Sequence, residues 1–304
     1  MLRGLHHVTA IASDPQANLR FYRDFLGLRL VKKTVNFDDP GTYHLYFGDE
    51  AAAPGTLMTF FIWPGSPRAR KGASQPTEVA FETGKDSLVH WLDRAKEFKV
   101  PVAGPFRRFG DDYISVEDPD GISITLVAAA TAEPTCPTPR RIHAVTLSEA
   151  DPMLSTKMLT EVLGFLAGPE EASRARLSLP DGGFVDILRT EPGRGSAGSG
   201  VIHHVALRCA FEDELETWRA RVIEAGMRST LVIDRRYFRS IYFRERDANR
   251  VGGVLFEIAS DVPGFAVDEP VEHLGESLML PPWLEPTRES IERRLPPLTN
   301  NETR

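Results

Sequence analysis

Short apolar runs with period-two alternation dominate the chain, and they recur in a fixed order. The first run, residues 5–11, is followed by Asp14-Pro15, an N-cap with proline at the first helical position, which predicts a helix over 16–26 that Gly27 stops. Three more strands are expected at 28–36, 42–47 and 55–63. Each carries β-branched or aromatic residues, and Asp39-Pro-Gly41, Gly48-Asp-Glu50 and Pro54-Gly55 punctuate them. The unit is strand, helix, three strands.

The pattern restarts at Thr77-Glu-Val-Ala-Phe81, with an amphipathic helix over 87–98 and strands at 102–107, 112–116 and 122–127, the last two joined by the turn Asp118-Pro-Asp-Gly121. A third unit opens at Arg141-Ile-His-Ala-Val-Thr-Leu147, repeats the helix start as Asp151-Pro152 and the stop as Gly164, and runs through the Asp181-Gly-Gly turn to Phe184-Val-Asp186. A fourth opens at Val201-Ile-His-His-Val-Ala-Leu207, with a helix over 212–224 and strands at 229–233, 240–244 and 254–259. Four copies of one module are present. The stretch 131–139, with three prolines, is the most linker-like, so the boundary between two halves, 1–135 and 136–264, is expected there. The tail 265–304 lies outside the repeat. It is apolar and proline-rich with a short helix over 286–294, and is expected to pack across the core or a partner's surface, which leaves a homo-oligomer open.

Composition narrows the class. With 304 residues and 41% hydrophobic content there is ample material for a buried core. A net charge of -7 and a pI near 5.7 argue against nucleic acid and membrane surfaces as partners. No apolar segment approaches the roughly 18 residues that span a bilayer, and the N-terminus lacks a signal-peptide core, so a cytoplasmic protein is expected. Cys136 and Cys209 alone make neither a disulfide framework nor a Cys-x-x-Cys metal motif.

Superposing the four modules singles out a site. Aligned on Val-Thr or Val-Ala, the first strands put His7, Glu78, Ala144 and His204 at one position, and the last strands put Thr59, Thr125, Asp186 and Glu257 at another. Glu257 lies in Gly252-Gly-Val-Leu-Phe-Glu257-Ile-Ala259, an apolar strand where an unpaired carboxylate would cost several kcal/mol. A nearby cation relieves that cost. A lone strand histidine is ordinarily a packed one, but the shared His-His-Val context at repeat-equivalent positions favours His7 and His204 as partners of Glu257 in a metal site. Two imidazoles and one carboxylate with vacant positions point first to Fe(II), then to Mn(II).

The module, its fourfold repetition and these ligands resemble the vicinal oxygen chelate superfamily, which includes glyoxalase I, bleomycin-resistance proteins and extradiol dioxygenases. His6-His7-Val-Thr9, Asp234-Arg235-Arg-Tyr-Phe-Arg-Ser-Ile-Tyr242-Phe-Arg-Glu245, the Glu257 strand and the tail Leu278-Met-Leu-Pro-Pro-Trp-Leu-Glu-Pro-Thr-Arg288 are similar to hydroquinone-type ring-cleaving dioxygenases. The resemblance implies an α+β fold of four βαβββ modules in two paired-module domains, with mixed curved sheets enclosing the metal site. It also implies ligands from the first and fourth modules, as His7, His204 and Glu257 are, and Arg235, Tyr242, His6, Thr9 and His203 around the pocket. Strand alternation puts Thr9 on the face of His7 but turns His6 and His203 away unless a bulge intervenes. His44, His90, His143 and His273 read as unremarkable histidines. The segment 245–252 is longer than the Glu-Pro-Gly-Gly turn expected there.

The implied activity is Fe(II)-dependent insertion of O2 into a hydroquinone-type, small aromatic substrate. Para hydroxyls cannot both reach one metal, so the ring needs a second anchor, a role open to Arg235 or Tyr242. The alternatives are a glyoxalase- or epimerase-like metal enzyme, which commonly uses more carboxylates and no O2, and a non-catalytic small-molecule binder of the same fold.

Overall fold

In the computed structural model, which describes residues 1–129, 138–180, 182–245 and 253–299, local capping builds the modules as the residues dictate. Asp14 accepts from the Gln16 and Ala17 amides at 2.8 and 3.1 Å, and Asp151 accepts from the Met153 amide at 3.2 Å. Each helix then widens into a π-helical turn, over Arg20–Phe25 and Met158–Val162. Gly27 and Gly164, at φ of 73° and 78°, end these turns in a conformation that disfavours a side chain.

The first module comprises β1 (Gly4–Ala12), α1 (Pro15–Leu19), β2 (Arg29–Asn36), β3 (Asp39–Gly48) and β4 (Leu57–Ile62). The second comprises β5 (Gln75–Thr83), α2 (Leu88–Glu97), β6 (Val102–Arg108), β7 (Asp111–Glu117) and β8 (Ser123–Ala128). The third has β9 (Arg141–Glu149), α3 (Pro152–Lys157), β10 (Leu166–Glu171), β11 (Arg174–Ser178) and β12 (Phe184–Arg189). The fourth has β13 (Ile202–Cys209), α4 (Glu214–Glu224), β14 (Ile233–Asp234), β15 (Phe238–Arg244) and β16 (Leu255–Pro263). The fourth module departs from expectation at 229–233, where only Ile233–Asp234 is ordered as strand.

Two eight-stranded mixed sheets result, β14-β15-β16-β13-β1-β4-β3-β2 and β10-β11-β12-β9-β5-β8-β7-β6. First strands pair antiparallel across a pseudo-twofold, β1 with β13 and β5 with β9. The sheets therefore join module one with four and two with three. The pairing runs across the boundary expected between 1–135 and 136–264, because pairing partners are set by strand edges and not by proximity along the chain. The residues 131–137 of the expected linker, Cys136, Asp181 and the 246–252 part of the long loop lie outside the described residues. No helix among the described residues is long and apolar enough to cross a membrane.

The register vindicates the module alignment. Thr9 lies beside Thr59, Ala80 beside Thr125, Thr146 beside Asp186 and Ala206 beside Glu257, so the last-strand positions are equivalent in all four modules. In the first strands His7, Glu78, Ala144 and His204 each stand two residues earlier.

The tail covers an edge of its own chain's first sheet. Leu278 bridges to Lys33 of β2, the Met279 amide donates to the Lys33 carbonyl at 2.9 Å, and Leu280, Ile291 and Leu295 are buried in the main core, Ile291 on the short helix α5 (Arg288–Glu292). Lys32, fully buried on the adjacent position, ties down the start of the tail through Asp268 at 2.7 Å and Glu269 at 2.5 Å, with the Tyr237 ring 4.9 Å from its ammonium. Replacing Lys32 with Met leaves two carboxylates facing each other in the interior. It should lower unfolding stability by about 3–5 kcal/mol, read as a lower urea midpoint at unchanged slope.

Candidate metal centre

Three donor atoms converge where β1, β13 and β16 lie side by side. His204 Nε2 is 2.9 Å and His7 Nε2 3.3 Å from Glu257 Oε2, and the two imidazole nitrogens are 3.3 Å apart. All three residues are buried, and they are the one such cluster among the described residues. The triangle matches in size what a single cation needs from three neighbouring donors, each about 2.1 Å from it.

The residues preceding the two imidazoles complete a symmetrical arrangement. His6 Nδ1 lies 2.8 Å from His7 Nδ1, and His203 Nδ1 lies 2.8 Å from His204 Nδ1. Each inner imidazole is thus held through Nδ1, leaving Nε2 for the centre. Simple alternation does not allow this, and the strands do not simply alternate. Between Leu5 and His7 the register of β1 gains one residue on β13, and between His204 and Ile202 that of β13 gains one on β1, so His6 and His203 are the extra residues of two bulges. The bulges bring adjacent side chains together. Burial drives His6 and His203 down to pKa values of about 3, with the neighbouring imidazole adding to the effect, and burial also lowers His204 against the pull of Glu257. These rings are neutral, as ligands and their supports must be.

Electrostatics at Glu257 provide a test of whether a metal fits. Burial alone would raise its pKa, yet His7 and His204 more than reverse this and hold it well below the usual carboxylate range. It is an anion in an apolar strand, and neither of its oxygens accepts a hydrogen bond of ordinary geometry. The equivalent carboxylate of the other sheet is treated differently. Asp186 is clasped by Arg176 in a two-point ion pair at 2.8 and 2.9 Å, while Glu78, the counterpart of His7, takes Arg108 at 2.6 Å. One sheet meets its buried charge with guanidinium. The other meets it with two imidazoles whose Nε2 atoms face the same point, and a divalent cation fits that donor set.

A cavity of about 390 Å³ opens against His7 and His204. Arg235 lines it, donating from Nε to the Tyr242 hydroxyl at 3.1 Å and from Nη1 to Asp38 at 2.9 Å. Asp38, rather than the neighbouring Asp234, is its carboxylate partner. The pair joins the β2–β3 turn to the β14–β15 turn, so the opposite ends of the curled sheet meet over the cavity mouth. Burial and the Glu257 charge raise the Tyr242 pKa, which keeps the phenol protonated. Thr9 does not face the cavity directly; its hydroxyl is 2.8 Å from that of Thr59.

Two wall residues escaped the sequence reading. His44, set aside as unremarkable, lies in the wall with Nε2 2.9 Å from Thr59 Oγ1 and Nδ1 2.9 Å from the Tyr46 hydroxyl, and burial pulls its pKa well below the ordinary histidine range. Their spacing of two on β3, opposite the strand that carries Thr59, was the available signal.

Comparison with known proteins agrees with this geometry. Residues 4–126 match the model of the Glyoxalase/Bleomycin resistance protein/Dioxygenase superfamily. The "Putative ring-cleaving dioxygenase MhqE" of Bacillus subtilis is 41% identical, over 97% of this chain and 99% of that protein. The chain belongs to the Glyoxalase/Bleomycin resistance protein/Dioxygenase superfamily. It stands with that superfamily's enzymes, among relatives named as ring-cleaving dioxygenases. The "Chlorohydroquinone/hydroquinone 1,2-dioxygenase" of Sphingobium indicum is 30% identical over 97% of this chain and 96% of its own length. The crystal structure of a "putative dioxygenase" from Bacillus subtilis superposes with a TM-score of 0.91 at 38% identity, covering 99% of both chains.

Two outcomes follow. Glu257→Gln keeps the shape but removes the only anion of the donor set, so the purified variant should retain less than a tenth of the wild-type metal by elemental analysis; full retention would contradict the assignment. The second concerns acid. Because His203 has a folded pKa near 3 against 6.5 unfolded, the unfolded chain binds more protons below pH 6.5, and stability must fall as pH drops from there. The urea midpoint of the metal-free protein should decline between about pH 6.5 and 5, above the ordinary carboxylate range, and His203→Phe should flatten that decline.

Proposed function

We propose that the protein is a cytoplasmic, Fe(II)-dependent ring-cleaving dioxygenase that inserts O2 into a hydroquinone-type aromatic substrate. The observation that carries this reading is the donor set, two imidazoles and a single carboxylate, beside a cavity walled by aromatic rings and by Arg235. One carboxylate leaves a divalent cation with a net positive charge, which a single phenolate neutralises. A centre with more carboxylates would bind a phenolate less well, and this favours ring chemistry over the glyoxalase alternative. Fe(II) held there supplies the Lewis acidity that ionises a phenol and the redox capacity that activates O2; Mn(II) fits the same donors.

The chain's own residues do the positioning. His7, His204 and Glu257 would hold the metal, and His6 and His203 fix the ring orientations of the two imidazoles. Tyr242, its ring centroid 5.7 Å from that of His204 and its hydroxyl held by Arg235, stands beside the centre and can donate to the substrate oxygen bound there. Arg235 holds the Tyr242 hydroxyl in place, and its charge favours the ionised form of a substrate phenol in the cavity. Aromatic side chains such as Phe61, Trp63 and Phe238 bound the rest of the cavity and suit a flat apolar ring. The name of the Sphingobium relative supports a hydroquinone, which offers one oxygen to the metal.

Oxygen-electrode assays of the Fe(II)-loaded protein with hydroquinone, chloro- and methylhydroquinone and catechol test the reading. Uptake of one O2 per hydroquinone ring, with catechol slower, is expected. No uptake with any hydroquinone would defeat it.

A further inference from the structure

The cavity is built about the pseudo-twofold between β1 and β13, so its two halves can be compared residue by residue. Tyr242 lies opposite Glu257 across β15 and β16, and Tyr46 lies opposite Thr59 across β3 and β4. Since Thr59 and Glu257 are equivalent, Tyr46 is the symmetry mate of Tyr242, and both phenols line the cavity. Each is held by one basic neighbour. Arg235 Nε serves Tyr242 at 3.1 Å, and His44 Nδ1 serves Tyr46 at 2.9 Å.

The halves differ in what they can bind. Beside Tyr242 is a carboxylate that takes the metal; beside Tyr46 is a threonine, which offers only hydrogen bonds. His44 has both ring nitrogens engaged, by Thr59 at 2.9 Å and by Tyr46, and so has none left for a ligand. The Tyr46 hydroxyl both donates and accepts, and His44 uses one of these capacities. Its other capacity is left over, and Tyr46 lines the cavity. Phe265, in the segment that Lys32 ties down, packs on the Tyr46 ring at 5.2 Å and limits its movement.

We infer that Tyr46, positioned by His44, is the anchor for the ring oxygen that does not reach the metal, and that it makes the site selective for para-dihydroxy over monohydroxy rings. This rests on the reading of the substrate as a hydroquinone. Tyr242, adjacent to the metal ligands, serves the near oxygen, and the mate on the opposite half serves the far one. The ring spans the pseudo-twofold as the two tyrosines do.

Anaerobic calorimetric titration of the Fe(II)-loaded protein with hydroquinone and with phenol tests this without turnover. Tyr46→Phe should weaken hydroquinone about tenfold and leave the phenol Kd unchanged. His44→Asn, whose amide reaches the place of Nδ1, should keep hydroquinone affinity; His44→Gln, whose amide reaches that of Nε2, should lose it as Tyr46→Phe does. Equal weakening of both ligands in Tyr46→Phe, or none, would overturn the inference, as would the same loss in both His44 variants. Absence of O2 uptake by the wild type, with the hydroquinone-specific loss intact, would defeat the ring-cleavage reading alone and leave this one standing.

Discussion

The buried charge of Glu257 is the constraint from which the rest of the first sheet follows. A carboxylate that is fully enclosed and ionised needs a counter-charge at contact distance, and the described residues place only the imidazoles of His7 and His204 there. A divalent cation satisfies the anion and the two Nε2 lone pairs together. The demands then pass outward: imidazoles that face one point must be held through Nδ1, and the holders, His6 and His203, reach them only because each β-strand carries a bulge. Local irregularity in β1 and β13 is therefore part of how the centre is made.

The second sheet is an internal control for that account. It has the same module order, the same strand pairing and a carboxylate, Asp186, at the position of Glu257. Arg176, Arg108 and Arg174 fill it with fixed positive charge, and the space left between them is negligible. One scaffold thus supports two solutions to a buried carboxylate. Fixed guanidinium gives a closed structural cluster, and an exchangeable cation gives a site with positions open to a ligand. The tail, latched through Lys32, packs on the edge of β2 in the sheet that carries the open site.

Much of this was legible in the sequence because the chain repeats. A single histidine in a strand says little, but four aligned modules picked out His7, His204 and Glu257, and the register bears out each equivalence. Helix starts at Asp14 and Asp151 were equally plain, since capping is local chemistry. What escaped was non-local. Which first strands pair depends on edges meeting in space, so the pairing of β1 with β13 and of β5 with β9 could not be read from the module order. The bulges at His6 and His203 break a rule of alternation that sequence alone must assume. His44 and Tyr46 were passed over because their partners, Thr59 and the cavity itself, belong to other strands. The partner of Arg235 is remote for the same reason: Asp38 is distant in sequence and meets it only when the sheet curls.

The central claim is that one cation sits between two imidazoles and a single carboxylate. Diffraction from crystals grown anaerobically with Fe(II), recorded on either side of the iron absorption edge, tests it most directly. The account predicts one strong anomalous peak within bonding distance of His7 Nε2, His204 Nε2 and a Glu257 oxygen. A peak bound elsewhere, or an iron-free triad with Glu257 turned to another partner, would contradict it.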